Sequence, residues 1–261
     1  MRIARFTIVD QIAFGVVDGD QSDPASLRVT AINGHPFAPF DRTDASFPLV
    51  DVRLLPPNLP NKVIGIGKNY ADHAREMGTE PPSTPVMFLK PSTTVIGHGE
   101  AVVLPMQSTR VEFEGEIAVV IGRLARDVPA SRVDEVILGY TCANDVTARD
   151  LQQSDGQWTR AKSFDTFCPL GPWIETEADP AALAVHTAVN GETRQQAAVT
   201  DMVHSIADLV VFASSVMTLL PGDVILTGTP AGVGPIAMGD EVEVSVSGVG
   251  TLRNRVISAG D

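Results

Sequence analysis

Three glutamates alternate along one short stretch of the chain, at positions 112, 114 and 116. Side chains at i, i+2 and i+4 of an extended strand share a face, so we expect Glu112, Glu114 and Glu116 to point the same way. The apolar run that follows, 117–121, leads into a core, where unpaired carboxylates are costly. A hard divalent cation accepts several carboxylate oxygens, so the spacing indicates a metal site, with Mg²⁺ the first choice and Mn²⁺ or Ca²⁺ as substitutes.

A second polar segment, 145–152, follows an apolar approach at 137–140. It holds acids, a base, a hydroxyl and an amide close together, and Asp145 is a candidate third metal ligand. Arg149 has a planar donor fork that either neutralises surplus carboxylate or grips an acid group of a substrate, and Gln152 offers both a donor and an acceptor. Two plainer alternatives stay open: the glutamates form the solvated face of an edge strand, and Arg149 makes an ordinary salt bridge.

Five motifs in order give the chain a family resemblance. They are EFEGEIAVVIG, GYTCANDVTARDLQ, KSFDTFCPLGPW, VNGETRQ and LLPGDVILTGTPAGVG. With them the chain resembles the fumarylacetoacetate hydrolase family over roughly residues 60 to 255. The resemblance implies a β-rich α+β fold of the family's mixed β-sandwich roll type, with a catalytic domain at 59–261. Strand and turn patterns before it predict a small N-terminal β domain at 1–58. The resemblance also implies a homodimer.

The segment that contains His73 and Glu76 is a candidate acid–base element. A short helix is predicted from Tyr70 to Met77, ended by Gly78, and it places His73 and Glu76 on one face. Taken alone, this spacing is also typical of a surface ion pair. The similarity to the family's NYADHxxE signature implies a mobile lid, in which the pair activates water or moves a proton. A histidine of near-neutral pKa beside an orienting carboxylate suits that chemistry.

Three further positions gain a role through the resemblance. Lys90 ends the apolar strand predicted at 86–89, and the family's FLKPS motif implies that it lies near the pocket. The KSFD motif implies that the Lys162 ammonium stabilises developing enolate charge. Thr229 belongs to the glycine-rich segment 227–234, whose backbone can approach a ligand closely and whose hydroxyl and N–H groups suit a carboxylate. A purely structural loop is the alternative there, and the missing P-loop lysine argues against a nucleotide.

Taken with the resemblance, these residues predict a magnesium-dependent enzyme. Glu114, Glu116 and Asp145 are expected to hold the metal, His73, Glu76 and Lys162 to act in catalysis, and Lys90, Arg149, Gln152 and Thr229 to bind substrate. The family's substrates are 2-oxo acids with an enol or 1,3-dicarbonyl arrangement, and the implied chemistry runs through a metal-stabilised enolate. It leads to C–C hydrolysis of an acylpyruvate or to decarboxylation of oxaloacetate. The alternatives are isomerisation of a 5-carboxymethyl-2-hydroxymuconate or 2-hydroxyhepta-2,4-diene-1,7-dioate type of diacid, and a metal-stabilised binding protein without turnover.

The elements that must position these residues are mostly short strands, which indicates a β-rich fold. The one long helix is predicted at 201–220, where apolar residues follow the i, i+3, i+4, i+7 pattern, and a shorter amphipathic helix is predicted at 129–138. Asn190 and Gly191 predict a tight hairpin turn between two strands. The proline-rich stretch 55–60 marks a linker between the N-terminal β unit and the main domain.

Composition limits the classes of partner. The chain has 261 residues, of which 44% are hydrophobic, so it can bury a full core. A net charge of −13 and a pI near 4.7 argue against binding to the phosphate backbone of a nucleic acid. No apolar run reaches membrane-spanning length and the start of the chain lacks signal-peptide character, so we expect a cytoplasmic protein with no membrane partner. Cys142 and Cys168 lack metal-site spacing and are expected to be reduced, buried thiols.

Overall fold

The computed structural model describes residues 1–9 and 11–260 of the chain. Short strands dominate it, because β-branched and other apolar residues alternate with polar ones between closely spaced turns. The strands of the first half are β1 Arg2–Ile8, β2 Gln11–Asp18, β3 Arg28–Asn33, β4 Asp41–Pro48, β5 Arg53–Leu55, β6 Val63–Gly67, β7 Val86–Lys90, β8 Val95–Ile96, β9 Val102–Leu104, β10 Val111–Phe113 and β11 Gly115–Ile121. Those of the second half are β12 Ile137–Asn144, β13 Thr147–Ala148, β14 Cys168–Glu175, β15 Ala184–Val189, β16 Glu192–Ala198, β17 Val224–Leu226, β18 Gly234–Pro235, β19 Glu241–Val246 and β20 Gly250–Ser258. The α-helices are α1 Ala71–Glu76, α2 Arg149–Asp155, α3 Thr159–Lys162 and α4 Ile206–Val216, and 3₁₀ turns lie at Pro24–Ser26, Leu49–Asp51, Ser92–Thr94, Ala130–Glu135, Pro180–Ala182 and Val199–Asp201.

Within the described residues the strands form a large sheet and two smaller ones. The 12-stranded sheet has the order β4-β3-β2-β1-β14-β12-β11-β17-β6-β7, with β5 added on β1 and β8 on β14. A 5-stranded sheet has the order β16-β15-β19-β20-β9, and a 3-stranded sheet has the order β13-β10-β18. One apolar core cluster joins residues of the large sheet, such as Ile117 and Val119, to residues of the 5-stranded sheet, such as Val185 and Val244. The predicted β-rich α+β fold is confirmed.

The acidic stretch is two strands rather than one. β10 pairs with β13 and β18, whereas β11 pairs with β12 and β17. The chain therefore passes from one sheet to another at Glu114, which corrects the expectation of a single continuous strand. Because β11 has a neighbour on each side, the solvated edge-strand alternative does not hold, and Glu112, Glu114 and Glu116 are at most 5% exposed.

The N-terminal strands continue the large sheet, because β1 pairs with β14 in antiparallel fashion. The proline-rich stretch 55–60 packs against the rest of the molecule. Within it Asn58 is buried, and its Nδ2 donates to Gly222 O at 2.5 Å. Backbone and side-chain hydrogen bonds thus cross the predicted division at residue 58, and the two-domain description stays a prediction.

The long helix, α4, is shorter than the apolar pattern predicts. It begins after Ser205, whose Oγ accepts from Asp208 N, so this cap satisfies an N–H group that has no partner inside the helix. It ends early because Leu219 leaves the helical path and exchanges backbone hydrogen bonds of 2.8 and 2.9 Å with Ala125. The prediction of a helix over 201–220 is therefore wrong at both ends.

Two shorter predictions have different outcomes. The segment 129–138 is helical at Ala130–Glu135, where it forms a 3₁₀ helix before the chain enters β12, so the predicted short helix is present in a shorter, 3₁₀ form. The predicted hairpin turn is present, since Asn190 and Gly191 join β15 to β16 with φ values of 53° and 78°.

The interior contains both thiols. Cys142 and Cys168 are free and buried, as expected. Burial raises the pKa of each thiol to about 12. Within residues 1–9 and 11–260, no helix has the length and apolar character needed to cross a membrane.

Candidate active site

Three carboxylates converge in the interior of the molecule. Glu114 lies at the break between β10 and β11, Glu116 is in β11, and Asp145 follows β12. Each offers an oxygen that lies within 4.8 Å of the other two, and all three residues are buried. Asp145 N donates to Glu114 O at 2.8 Å, and this bond holds the two chain segments in register. The fold therefore brings together the three residues predicted as metal ligands, which we call the carboxylate triad.

Two buried lysines contact the carboxylate triad. Lys162 Nζ lies 2.8 Å from Glu114 Oε2 and 2.6 Å from Asp145 Oδ2. Lys90 Nζ lies 2.5 Å from Asp145 Oδ1 and 3.3 Å from Val146 O. Each lysine side chain is at most 2% exposed, so the carboxylates take the place of water around both ammonium groups. Asp145 consequently has one lysine on each of its oxygens.

The two glutamates of the triad have pKa values shifted in opposite directions. Burial alone would raise the pKa of Glu114, but the Lys162 and Arg149 charges outweigh it and hold that pKa well below its usual value. Burial raises the pKa of Glu116, and the charges of Asp145 and Glu114 raise it further. The described residues provide ion pairs for Glu114 and Asp145 but none for Glu116, whose Oε2 accepts instead from Gly228 N at 2.6 Å.

The donor set of the triad fits a hard divalent cation. Its donors are all carboxylate oxygens, which suit Mg²⁺, Mn²⁺ and Ca²⁺. Burying a carboxylate without a cationic partner is unfavourable, and Glu116 is in that position. A divalent ion held by Glu114, Glu116 and Asp145 would provide the missing positive charge. The triad is therefore a candidate metal centre.

Arg149, in the first turn of α2, connects the triad to Glu112. Its Nε donates to Glu112 Oε2, its Nη2 to Glu114 Oε1 and its Nη1 to Gln152 Oε1, each at 2.6 Å. A guanidinium has five N–H donors, so two remain for a ligand. These contacts match the plainer alternative, a salt bridge to nearby glutamates, and they also offset surplus carboxylate charge. Substrate binding by the remaining donors stays a prediction. Glu112 accepts a hydrogen bond from Arg149 and thereby fixes its orientation, and it is not part of the triad.

Helix α1 carries the predicted acid–base pair. His73 Nδ1 lies 3.0 Å from Glu76 Oε2, with 6% of the histidine side chain and 34% of the glutamate side chain exposed. Glu76 Oε1 also accepts from Gly232 N at 3.1 Å, so the carboxylate ties α1 to the glycine-rich segment after β17. Because Nδ1 is engaged with Glu76, Nε2 is the ring nitrogen left for proton transfer.

A small, partly open cavity of about 40 Å³ lies beside these groups. The predicted site residues that line it are His73, Glu114, Asp145, Arg149, Gln152, Lys162 and Thr229. Glu76 and Glu116 do not line it. Glu76 contacts the lining residue His73, and an oxygen of Glu116 lies within 4.8 Å of oxygens of Glu114 and Asp145. Lys90 does not line it, because its ammonium is engaged with Asp145 and a backbone carbonyl.

An aromatic pair forms part of the cavity wall. The Phe88 and Trp158 rings meet edge to face with 5.4 Å between their centroids, and Lys162 Nζ lies 5.1 Å from the centre of the Phe88 ring. Gly65 and Gly67 of β6 leave room for the rings, since a methyl group at either position would overlap one of them. Sequence analysis did not identify Phe88, because only the packing of α3 on β7 brings it to Lys162.

Gln195 is a second residue that sequence analysis missed. Its Nε2 donates to Thr229 Oγ1 at 2.7 Å, and its Oε1 accepts from Gly115 N at 3.0 Å. It lies on β16, in the 5-stranded sheet, and is 1% exposed. The VNGETRQ motif contains this residue, but nothing in its spacing indicates that the hairpin reaches the site.

Comparisons with known proteins place this site in context. Residues 62–257 match the family model described as "Fumarylacetoacetate (FAA) hydrolase C-terminal", and residues 1–57 match the model "Rv2993c-like, N-terminal". The crystal structure of 2-hydroxyhepta-2,4-diene-1,7-dioate isomerase from Mycobacterium marinum is 49% identical, with a TM-score of 0.94 and 100% of both chains covered. Mitochondrial oxaloacetate tautomerase Fahd2a from Rattus norvegicus is 42% identical over 78% of this chain and 69% of its own length. Maleylpyruvate hydrolase from Sphingobium sp. SYK-6, solved with manganese(II) and pyruvate, is 33% identical with a TM-score of 0.81, over 99% of this chain and 100% of that one.

Proposed function

The chain belongs to the fumarylacetoacetate hydrolase family, and we propose that it is a divalent-metal-dependent enzyme that acts on a 2-oxo acid through its enolate. The related proteins named above are an isomerase, a tautomerase and a hydrolase. An enolate is an intermediate that keto–enol isomerisation, decarboxylation and C–C hydrolysis of 2-oxo acids have in common. We therefore propose the formation of an enolate first, and we treat the product formed from it as a separate question.

The observation that carries the proposal is the contact of Lys162 with Glu114 and Asp145 beside the cavity of about 40 Å³. Glu114, Glu116 and Asp145 would hold the cation, with Mg²⁺ proposed and Mn²⁺ as its substitute. When bound, the cation supplies Lewis-acid polarisation of a 2-oxo group, which makes the neighbouring carbon more acidic. The other steps fall to side chains of this chain.

Lys162 would stabilise the negative charge that develops on the substrate oxygen. Burial would lower the pKa of Lys162, but the charges of Asp145 and Glu114 outweigh it and raise that pKa above its usual value. The side chain therefore stays cationic at neutral pH. A fixed cation in a site that excludes water stabilises an oxyanion more strongly than a solvated one.

His73 would move the proton. Glu76 holds its Nδ1, so Nε2 can take a proton from the carbon next to the 2-oxo group and return it to a different atom of the enolate. The cavity of about 40 Å³ holds about one water molecule, which is too little for a dicarboxylate. We expect substrate entry to move α1 away from the triad, which would break the Glu76–Gly232 hydrogen bond.

Oxaloacetate-type keto–enol tautomerisation is the first reaction to test, because it needs only the proton transfer that His73 and Glu76 provide. The two free N–H donors of Arg149 suit a carboxylate of the substrate. C–C hydrolysis of an acylpyruvate is the second candidate, because a maleylpyruvate hydrolase is 33% identical to this chain over 99% of its length. Decarboxylation of oxaloacetate needs neither water nor a second proton donor in its first step and is a third outcome of the same assays.

The experiment compares metal-stripped protein with protein supplied with Mg²⁺ or Mn²⁺. Ultraviolet absorbance follows the enol of oxaloacetate, the loss of acetylpyruvate and the isomerisation of 5-carboxymethyl-2-hydroxymuconate. We expect turnover of at least one substrate that disappears on chelation and returns with the metal. Metal binding without turnover of any of these acids would instead support the binding-protein alternative.

A homodimer is proposed on the family resemblance. Light scattering on the eluted protein gives the molar mass directly, and we expect twice the 27.7 kDa of one chain. A mass equal to one chain at the concentrations used for assays would contradict this.

A further inference from the structure

The hairpin β15–β16 packs against Gly115, the residue between Glu114 and Glu116 of the carboxylate triad. Thr187 and Gln195 are cross-strand partners in this hairpin, and both are buried. They lie against Gly115, the residue between Glu114 and Glu116. A methyl group on Gly115 would overlap Thr187 Oγ1 and would lie 3.2 Å from Gln195 Oε1. The missing side chain at residue 115 is therefore what lets a strand of the other sheet reach the triad backbone.

The orientation of the Gln195 amide is fixed by its partners. Its Oε1 lies 3.0 Å from Gly115 N, which can only donate. Its Nε2 lies 2.8 Å from Pro230 O, which can only accept, and 2.7 Å from Thr229 Oγ1. Exchanging the amide oxygen and nitrogen would place donor against donor and acceptor against acceptor, so only one orientation satisfies both backbone groups.

This orientation also fixes the Thr229 hydroxyl. Thr229 Oγ1 accepts from Gln195 Nε2, so its own hydrogen is free to donate to Gly115 O, 2.9 Å away. The single hydroxyl hydrogen is thereby used within the protein. Towards the cavity the hydroxyl can then only accept, and any carboxylate bound at Thr229 has to use a backbone N–H instead of the hydroxyl.

We propose that Gln195 is a positioning residue. It holds the backbone between Glu114 and Glu116 at a fixed distance and orientation from the segment that contains Thr229. It bonds both sides at once, to Gly115 N on the metal-binding strand and to Thr229 and Pro230 on the segment after β17. The inference rests on the proposed function, because it assigns Gln195 to the metal centre of that function. Its consequence is that the loss of the Gln195 amide weakens metal binding, although this amide bonds to none of the three metal-ligand side chains.

The test uses Mn²⁺ as the probe and titration calorimetry as the measurement, on the full chain. Gln195→Met keeps the length of the side chain and removes both amide functions. We expect its Kd for Mn²⁺ to rise about tenfold or more, in the range found when partners that orient metal ligands are lost. Gln196→Met is the matched control, because Gln196 is the exposed neighbour on the same strand, and its Kd should equal that of the unsubstituted protein.

The outcomes separate the two proposals. If the unsubstituted protein binds no Mn²⁺, the proposed function fails. If it binds and a folded Gln195→Met variant binds equally well, the positioning role is overturned while the function stands. Should Gln195→Met not unfold cooperatively, Gln195→Glu tests the same link, since its carboxylate can still accept from Gly115 N but cannot donate to Thr229 or Pro230. A folded Gln195→Glu variant with an unchanged Kd would overturn the role as well, and a raised Kd would support it.

Discussion

Lys162 Nζ lies 2.6 Å from Asp145 Oδ2, and the same ammonium lies 2.8 Å from Glu114 Oε2. One buried cation therefore bridges carboxylates from two chain segments that are far apart in sequence. We propose that the same ammonium also stabilises charge on the substrate oxygen, so measurements with and without metal can separate its structural role from its chemical role.

Replacing Lys162 with methionine tests this separation. We expect kcat to fall about 10²–10³-fold, as for loss of one group that stabilises an oxyanion, while Mn²⁺ still binds. The metal-free variant should also lose about 3–5 kcal/mol in free energy of unfolding, because Glu114 and Asp145 are left as buried charges without this partner. Denaturant unfolding with and without Mn²⁺ measures the second effect, and the metal should restore part of the loss. A variant with full turnover would remove Lys162 from the mechanism.

Glu116→Gln should have opposite effects on the metal-free and the metal-loaded protein. Burial and the neighbouring carboxylates raise the pKa of Glu116, so a neutral amide of the same size relieves repulsion and should raise the Tm of the metal-free protein. The amide oxygen can still accept from Gly228 N. The metal-induced rise in Tm should be lost, since a carboxylate ligand is gone. Calorimetric scans with and without Mn²⁺ measure both changes, and a lower Tm in the metal-free variant would contradict the assigned electrostatics.

The acid–base role of His73 is tested by His73→Asn, for which we expect kcat to fall about 10²–10⁴-fold, the usual contribution of a positioned general base. The Kd for Mn²⁺ should be unchanged because His73 is not a ligand. Arg75→Ala is the control on the same helix: Arg75 pairs with Asp72 on the exposed side, and exposed pairs contribute little. Equal loss of activity in both variants would show a general disturbance of α1 and no specific role for the histidine.

The buried thiols provide a pH-dependent prediction that is independent of catalysis. Burial raises the pKa of Cys142 and Cys168 to about 12, so the folded protein favours the neutral thiol. The two cysteines therefore contribute stability that is present below the ordinary thiol pKa of 9.0 and is lost as the pH rises from there towards 12. Since the thiolate is the nucleophile, we expect no reaction with Ellman's reagent at pH 8 until denaturant is added. Rapid labelling of the native protein would show that these side chains are reached by solvent.

Local sequence pattern predicted the parts of the fold that local chemistry controls. The hairpin at Asn190 and Gly191 needs only two residues that tolerate positive φ, and the strand β11 is marked by its own apolar run. The end of α4 was not predictable in the same way, because it depends on Leu219 pairing with Ala125, which is distant in sequence. The change of sheet at Glu114 likewise depends on which partners β10 and β11 find.

The same distinction between local pattern and long-range packing applies to the candidate site. The triad and the His73–Glu76 pair were predicted because their residue types are suited to metal binding and proton transfer at short spacing or within recognisable motifs. Lys90 was expected to bind substrate, but its ammonium is buried on Asp145, a contact that only the packed structure reveals. Phe88 and Gln195 were not predicted for a related reason. Neither type of side chain indicates a catalytic or metal-binding role by itself. Each reaches the site from a strand whose position next to it cannot be inferred from the sequence.

We propose above all that Glu114, Glu116 and Asp145 jointly hold one divalent cation. A crystal grown with Mn²⁺ and examined at a wavelength where manganese scatters anomalously tests it most directly. We expect a single strong anomalous peak in contact with one oxygen from each of the three carboxylates, and its loss in Glu116→Gln crystals grown in the same way. A peak at other residues, or none among these three side chains at saturating Mn²⁺, would contradict the account.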